Sequence, residues 1–294
     1  MSEERKLKLY DPSKKCRRME VTAFMSGSGT NIRKLLELER RLDSESENGS
    51  PFHVNAIYSD RQDGQCNAER IAREYVLPYI SHDIRAFYKQ KGVKRTVKTD
   101  KGMVVRVEFD ATIFNLMHAL GTDVTAFGGY MSFFSRNSHY PSINVHPADL
   151  RILDDQGKRK YTGDRAVRDA IKAGEKEIRA STILIDEGVD TGPLLMISKP
   201  LEVDIGKALE DLMTAGTIEF PEPPSRYPID PRRLHDTAPD IFKAVVGYHQ
   251  GELKKVGDWN IFPRTIREIA EGNFEVTPSG VVYYKGKKGP LVLE

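Results

Sequence analysis

The chain has 294 residues, of which 39% are hydrophobic and 30% charged, and its 45 Lys and Arg nearly balance 43 Asp and Glu for a net charge of +2. That length allows one large domain with an appendage, or two modest domains, and the balance of charge gives no case for nucleic acid or a membrane surface as the main partner. The two cysteines, Cys16 and Cys66, lie far apart, which argues against a disulfide framework or a structural zinc site; no apolar run approaches ~18 residues, and the charged segment from Met1 to Glu20 lacks the apolar stretch of a signal peptide, so a cytoplasmic location is expected.

Residues 1–19 read as a polar lead-in. Val21 to Met25 is a short apolar run ending in Ser26-Gly27-Ser28-Gly29-Thr30-Asn31, and Ile32, Leu35, Leu36 and Leu38 then follow helical spacing. This is a strand, a glycine turn and a helix. His53 to Ser59 predicts a second strand, residues 66–75 a helix, and Leu77 to Ile80 a third strand. The alternation predicts a parallel sheet with helices on both faces. Residues 89–109 interrupt it. Thr96 to Phe109 reads as a basic hairpin turning at Asp100-Lys101-Gly102, and a solvated hairpin is favoured over a polyanion-binding arm.

Ala111 to Leu120 reads as helix, Asp123 to Phe127 as strand, and Ser142 to His146 as a strand stopped by Pro147. Residues 148–163 form a long polar loop, and Arg165 to Ala173 a helix closed by Gly174. Ser181 to Ile185 and Leu194 to Ile197 are two more strands around the loop Asp186-Glu187-Gly188-Val189-Asp190-Thr191-Gly192-Pro193. Ile205 to Thr214 suits a helix. Residues 219–239, with six prolines, read as an extended connection. Phe242 to His249 suits a helix, and Phe274 to Tyr284 and Pro290 to Leu293 read as short antiparallel strands.

Three pieces carry chemistry. Glycines in the first turn let backbone approach a ligand, and the helix that follows offers free N–H groups to a phosphate. Ser28 and Thr30 add hydroxyls, and Asn31 pins the turn or reaches the ligand. A tight turn with no ligand fits the same residues. On a strand, Asn144 and His146 face the same way, at the end of the sheet where open α/β folds place ligands. An amide beside an imidazole can hold an oxyanion and move a proton; a hydrogen-bonded strand-end histidine is the plainer alternative. Asp190, in the glycine-containing loop, can orient a histidine or relay protons, or simply cap the turn.

Taken in order, Ser26 to Asn31, Gly129-Tyr130-Met131, Ile143-Asn144-Val145-His146-Pro147 and Asp190-Thr191-Gly192-Pro193 resemble the folate-dependent formyltransferases, closest to their purine-pathway branch, the phosphoribosylglycinamide formyltransferases. The resemblance covers roughly residues 20–203. It implies a Rossmann-like α/β formyltransferase domain over 20–204; the basic segment at about 89–109 has no counterpart in the family and reads as an insertion, and residues 205–294 read as a small C-terminal α+β extension. It further implies 10-formyltetrahydrofolate as cosubstrate, no metal, and a phosphorylated small-molecule amine as acceptor, glycinamide ribonucleotide first. Asn144, His146 and Asp190 fall on the catalytic trio. Gly27, Ser28, Gly29, Thr30 and Asn31 fall on the phosphate-binding loop. Met131, Ser132 and Phe134, with Asp186, Glu187, Gly188 and Val189, fall on the folate pocket. The trio would stabilise charge on the formyl oxygen through Asn144 and a protonated His146, while Asp190 favours the charged ring.

Also similar are Tyr58-Ser59-Asp60, where the family tends to have a strand ending in Ser-Asn, and Tyr161-Thr162-Gly163, where it has Tyr-Pro-Gly; the sequence departs from the family where Ala148-Asp149-Leu150 follows His146-Pro147 in place of Ser-Leu-Leu-Pro. The substrate-contacting glutamate has four candidates, Glu210, Glu222, Asp236 and Asp240, none matching cleanly. Acceptors of other kinds (a sugar nucleotide or methionyl-tRNA), a formyltetrahydrofolate deformylase and a non-catalytic folate-binding protein are the alternatives. The extension either covers the site or forms a homodimer contact.

Overall fold

The computed structural model describes residues 4–130, 132, 135, 140–216, 218, 219 and 222–294. A short strand β1 (Leu7–Lys8) and a helical turn α1 (Pro12–Lys15) lead into β2 (Met19–Phe24), α2 (Thr30–Glu45), β3 (Phe52–Ser59), α3 (Ala68–Tyr75), β4 (Tyr79–Ser81), α4 (Ile84–Gln90), α5 (Asp100–Ala119), β5 (Val124–Phe127) and β6 (Ser142–His146). Next come α6 (Ala166–Ala173), β7 (Glu177–Ile178), β8 (Ser181–Leu184), β9 (Leu194–Ile197), β10 (Leu201–Glu202), α7 (Ile205–Thr214), α8 (Pro231–Thr237), α9 (Pro239–Leu253) and α10 (Trp259–Ala270). Strands β11 (Phe274–Val276), β12 (Val282–Tyr284), β13 (Lys287–Lys288) and β14 (Leu291–Val292) end the chain.

Two compact units result. The first comprises Met1–Val145, Thr182–Leu195 and Phe262–Pro290. Its central sheet runs in the order β4-β3-β2-β5-β6-β8-β9, with β4, β3, β2, β5 and β6 all parallel. The expected α/β class with a mostly parallel sheet is therefore observed. Nearly every β2 residue is buried, as a strand covered on both faces requires. Aromatic side chains fill one side of this unit: Phe24 stacks on Phe127 with ring centroids 4.6 Å apart and leans on Tyr58 at 4.8 Å. A second sheet of this unit orders β1-β11-β12-β13, all antiparallel.

The second unit comprises His146–Ser181, Met196–Ile261 and Leu291–Glu294. Its helix α9 buries Ile241, Phe242, Val245, His249 and Leu253. His249 donates Nδ1–H to the Val245 carbonyl at 2.9 Å. Burial holds this imidazole below its ordinary pKa.

Three sequence expectations are corrected. The basic segment 89–109 is no hairpin: α4 ends at Gln90 and α5 begins at Asp100. Thr99 caps α5, its hydroxyl accepting the Gly102 N–H at 3.2 Å. The proline-rich stretch is not wholly extended either. Pro231 and Pro239 open α8 and α9, where a missing N–H costs nothing. Finally, β14 pairs with β9 in parallel, Leu291 beside Met196, not in an antiparallel pair.

Candidate active site

In the first unit, the motif residues leave the sheet at a common edge. Register aligns Phe24 of β2 with Tyr58 of β3 and with Phe127 of β5, and Phe127 with Asn144 of β6. The glycine turn, Ser59-Asp60, Gly128-Gly129-Tyr130 and the end of β6 all follow directly from this row. That is the carboxyl end of parallel strands, where open α/β sheets collect their ligands.

The glycine turn is pinned through its carbonyls. Gly27 C=O accepts the Asn67 N–H at 3.0 Å and Gly29 C=O the Arg33 N–H at 2.9 Å. Ser28 C=O accepts Asn67 Nδ2 at 3.2 Å and Ser26 C=O accepts Arg61 Nη1 at 3.3 Å. The N–H groups of Gly27 to Ile32 have no partner among the described residues. Gly29, at φ +71°, caps α2 in a left-handed conformation with no side-chain cap, so the positive helix end is left to a ligand or water. A Cβ on Gly29 would lie 2.4 Å from Met25 Cε and 2.5 Å from Ile71 Cδ1, whereas one on Gly27 would meet nothing within 4 Å. Asn31 is 7% exposed, and its Oδ1 has no partner among the described residues, an arrangement that invites a bound donor.

Beside the turn stands Asp60, 3% exposed. It accepts a hydrogen bond from Ser26 Oγ at 2.7 Å and a shorter one from Ser132 Oγ. Deeper in the same unit, Arg106 and Asp110 of α5 form a buried ion pair, Nη2 to Oδ1 at 2.7 Å and Nε to Oδ2 at 3.0 Å. Asp110 Oδ2 also accepts Ser135 N–H at 2.8 Å and Ser135 Oγ at 2.6 Å. Burial raises the Asp110 carboxyl pKa, against the pull of Arg106 and Ser135. Burial likewise pushes the hydroxyls of Tyr58 and Tyr130 upward. The sequence reading noted Asp60 only as part of a family motif and missed Arg106, Asp110 and Ser135; the four-residue step from Arg106 to Asp110 was the available signal, since it puts both on one helix face.

Asn144 and His146 are alternate residues of β6 and share a face of that strand. His146 is 4% exposed. Its Nε2 lies 3.0 Å from the Tyr161 carbonyl. A carbonyl only accepts, so Nε2 carries a proton. Tyr161 is held in turn, its hydroxyl donating to Glu175 Oε1 at 2.6 Å.

Asp190 stands in the loop between β8 and β9. The loop base is fixed in the first unit: Leu184 N–H donates to Pro193 C=O at 3.0 Å, and Ile185 N–H to Ser142 C=O at 2.8 Å. Asp186 Oδ1 accepts from Gly188 N–H at 3.0 Å and from Thr191 Oγ1 at 2.6 Å. Gly192 admits no side chain, because a Cβ there would lie 1.8 Å from the Leu184 carbonyl oxygen. Asp190 adopts φ +54°, a conformation rare outside glycine that aspartate tolerates best. Glu187, Gly188 and Val189 are exposed, Val189 at 59%. The structure thus puts Asn144 and His146 on one strand face and Asp190 in a braced loop. Of the residues expected to line a folate pocket, Ser132 is placed against Asp60, while Met131 and Phe134 lie outside the described residues. Among the described residues no group of three or more His, Cys, Asp or Glu side chains is arranged to hold a metal ion, and no helix is long and apolar enough to cross a membrane.

A glycine turn and the Asn144-bearing strand end share this sheet edge, and the chain is a member of the formyl transferase family, which it matches over residues 19–219. It is similar to the phosphoribosylglycinamide formyltransferase of Haemophilus influenzae, 23% identical over 184 residues that cover 61% of this chain and 72% of that protein. It is also similar to the trifunctional purine biosynthetic protein adenosine-3 of Drosophila melanogaster, 26% identical over 184 residues, 61% of this chain but only 11% of that protein's length. In fold it resembles the phosphoribosylglycinamide formyltransferase of Coxiella burnetii solved in complex with CHES, with a TM-score of 0.59 at 18% identity, covering 95% of this chain and 100% of that one.

Proposed function

We propose that the protein transfers the formyl group of 10-formyltetrahydrofolate to the amine of a small phosphorylated substrate, glycinamide ribonucleotide first among them. The observation that carries this reading is the uncapped, carbonyl-pinned turn at Gly27 to Asn31 at the carboxyl edge of a parallel sheet whose β6 strand carries Asn144 in the same row. The turn suits a phosphate. The strand suits an oxyanion and a proton in flight.

In the reaction the amine nitrogen attacks the formyl carbon, and charge gathers on the formyl oxygen. The Asn144 amide and a proton on His146 Nδ1 stabilise it. The carbon–N10 bond then breaks, and a proton passes from the attacking nitrogen to N10 through water, with Asp190 as the candidate relay. The exposed Val189 supplies an apolar surface for the flat folate ring. The two free thiols, Cys16 and Cys66, fit a reducing compartment such as the cytoplasm.

The test is direct. The protein is incubated with 10-formyltetrahydrofolate, with and without glycinamide ribonucleotide, and the absorbance of the folate product is followed. Turnover that requires the amine is the expected result. Turnover without any amine makes the protein a deformylase, and folate binding without turnover makes it a binding protein; either result overturns the proposal.

A further inference from the structure

We infer that Asp60 is a positioning residue that ties the glycine turn to the Ser132 segment, so that the two ligand sites respond together. The inference rests on the folate and amine assignment above. Its physical basis is a buried carboxylate shared by two serines from different loops. Ser26 ends the β2 side, immediately before Gly27. Ser132 follows β5, in the segment assigned to the folate. One oxygen of Asp60 accepts from each hydroxyl, and the backbone repeats the link, Ser26 N–H donating to Gly129 C=O at 3.1 Å. The Asp60 main chain is fixed as well, its carbonyl accepting Ile84 N–H at 3.1 Å.

A carboxylate is required for this bridge. An ionised carboxyl accepts at both oxygens, whereas the amide of the usual asparagine accepts at one end only and donates at the other. Hydrogen bonds to a charged acceptor are the stronger kind, and burial makes a broken one costly. Asp60 therefore satisfies both hydroxyls, where an amide at that position could satisfy one. A shift in the turn when an anion binds is passed to Ser132 through Asp60, and the reverse holds by linkage.

The experiment is a double-mutant cycle. KM for 10-formyltetrahydrofolate and KM for glycinamide ribonucleotide are measured in the parent protein, Ser26→Ala, Ser132→Ala, the double variant and Asp60→Asn, and urea unfolding is measured for the same five proteins without ligand. Each single serine variant is expected to raise both KM values about threefold to tenfold with little change in kcat, although each serine lies on one side only. The double variant should be little worse than either single one, because the bridge is already open. Asp60→Asn should reproduce a single serine loss. In the ligand-free cycle the two serines should be non-additive in unfolding free energy. Serines that each affect only their own substrate's KM, with additive stability effects, would overturn the inference. Failure of the parent protein to use either ligand counts against the functional assignment instead, and the unfolding cycle still decides whether Asp60 bridges the loops.

Discussion

His146 donates Nε2–H to the carbonyl of Tyr161 across 3.0 Å, so the proposed reaction would draw on the opposite nitrogen, Nδ1. His146→Gln can keep the donor to Tyr161 but carries no ring nitrogen at the Nδ1 position. Its turnover is expected to fall by about 10²–10⁴-fold, the usual worth of a positioned acid or base, with thermal unfolding close to that of the parent. Initial rates and a melting curve suffice, and a variant within a few-fold of the parent removes His146 from the reaction.

The two glycines of the turn separate folding from binding. Gly27→Ala introduces a methyl that meets nothing within 4 Å, so stability should stay within about 0.5 kcal/mol while KM for the phosphorylated amine rises. Gly29→Ala forces a side chain into φ +71° and against Met25 and Ile71, and should destabilise by roughly 1–2 kcal/mol from the backbone alone. Urea unfolding and substrate kinetics on both variants check the contrast. Equal stability losses would mean that the turn is not built as described.

The ion pair inside α5 makes a stability prediction. Asp110→Ala leaves the Arg106 guanidinium buried without its carboxylate and should cost about 3–5 kcal/mol. Replacing both residues, Arg106→Met with Asp110→Ala, removes the stranded charge and should recover part of that loss. A double variant as unstable as Asp110→Ala would show that the bonds to Ser135, rather than the charge, set the cost.

Glu39 gives the pH dependence a sign. Burial is the largest influence and raises its pKa above the ordinary 4.5, outweighing hydrogen bonds from His53 and the Val54 N–H. A raised value means that the folded state holds the proton more tightly than the unfolded one. The stability contributed is thus fully present below the unfolded pKa and lost as pH rises through the folded one. Glu39→Gln no longer titrates, so its stability relative to the parent should improve between about pH 4 and pH 7. A difference that stays flat, or falls, across paired urea titrations contradicts this account.

Much of the site was legible because it is local. A strand, a glycine pair and a helix are contiguous at residues 21–45, and Asn144 with His146 follows from strand periodicity alone. The α5 helix was misread for a physical reason. Its buried face runs Gly102, Val105, Arg106, Phe109, Asp110, Ile113 and Met117, a clear helical spacing, but two of those positions carry charges that satisfy each other. Polar residues masked the period, and Val104, Val105 and Val107 suggested a strand. The Asp60 bridge was beyond reach in another way: Ser132 is 72 residues away, and nothing in the local sequence marks it as the partner.

The pairing of β1 with β11, Leu7 beside Val276 and Lys8 beside Glu275, has a consequence for how the molecule is made. During synthesis β1 waits, unpaired, until β11 has left the ribosome. Closure over so long a span is slow, so the second sheet of the first unit is completed only after β11 has been made, and chains released before then cannot form it.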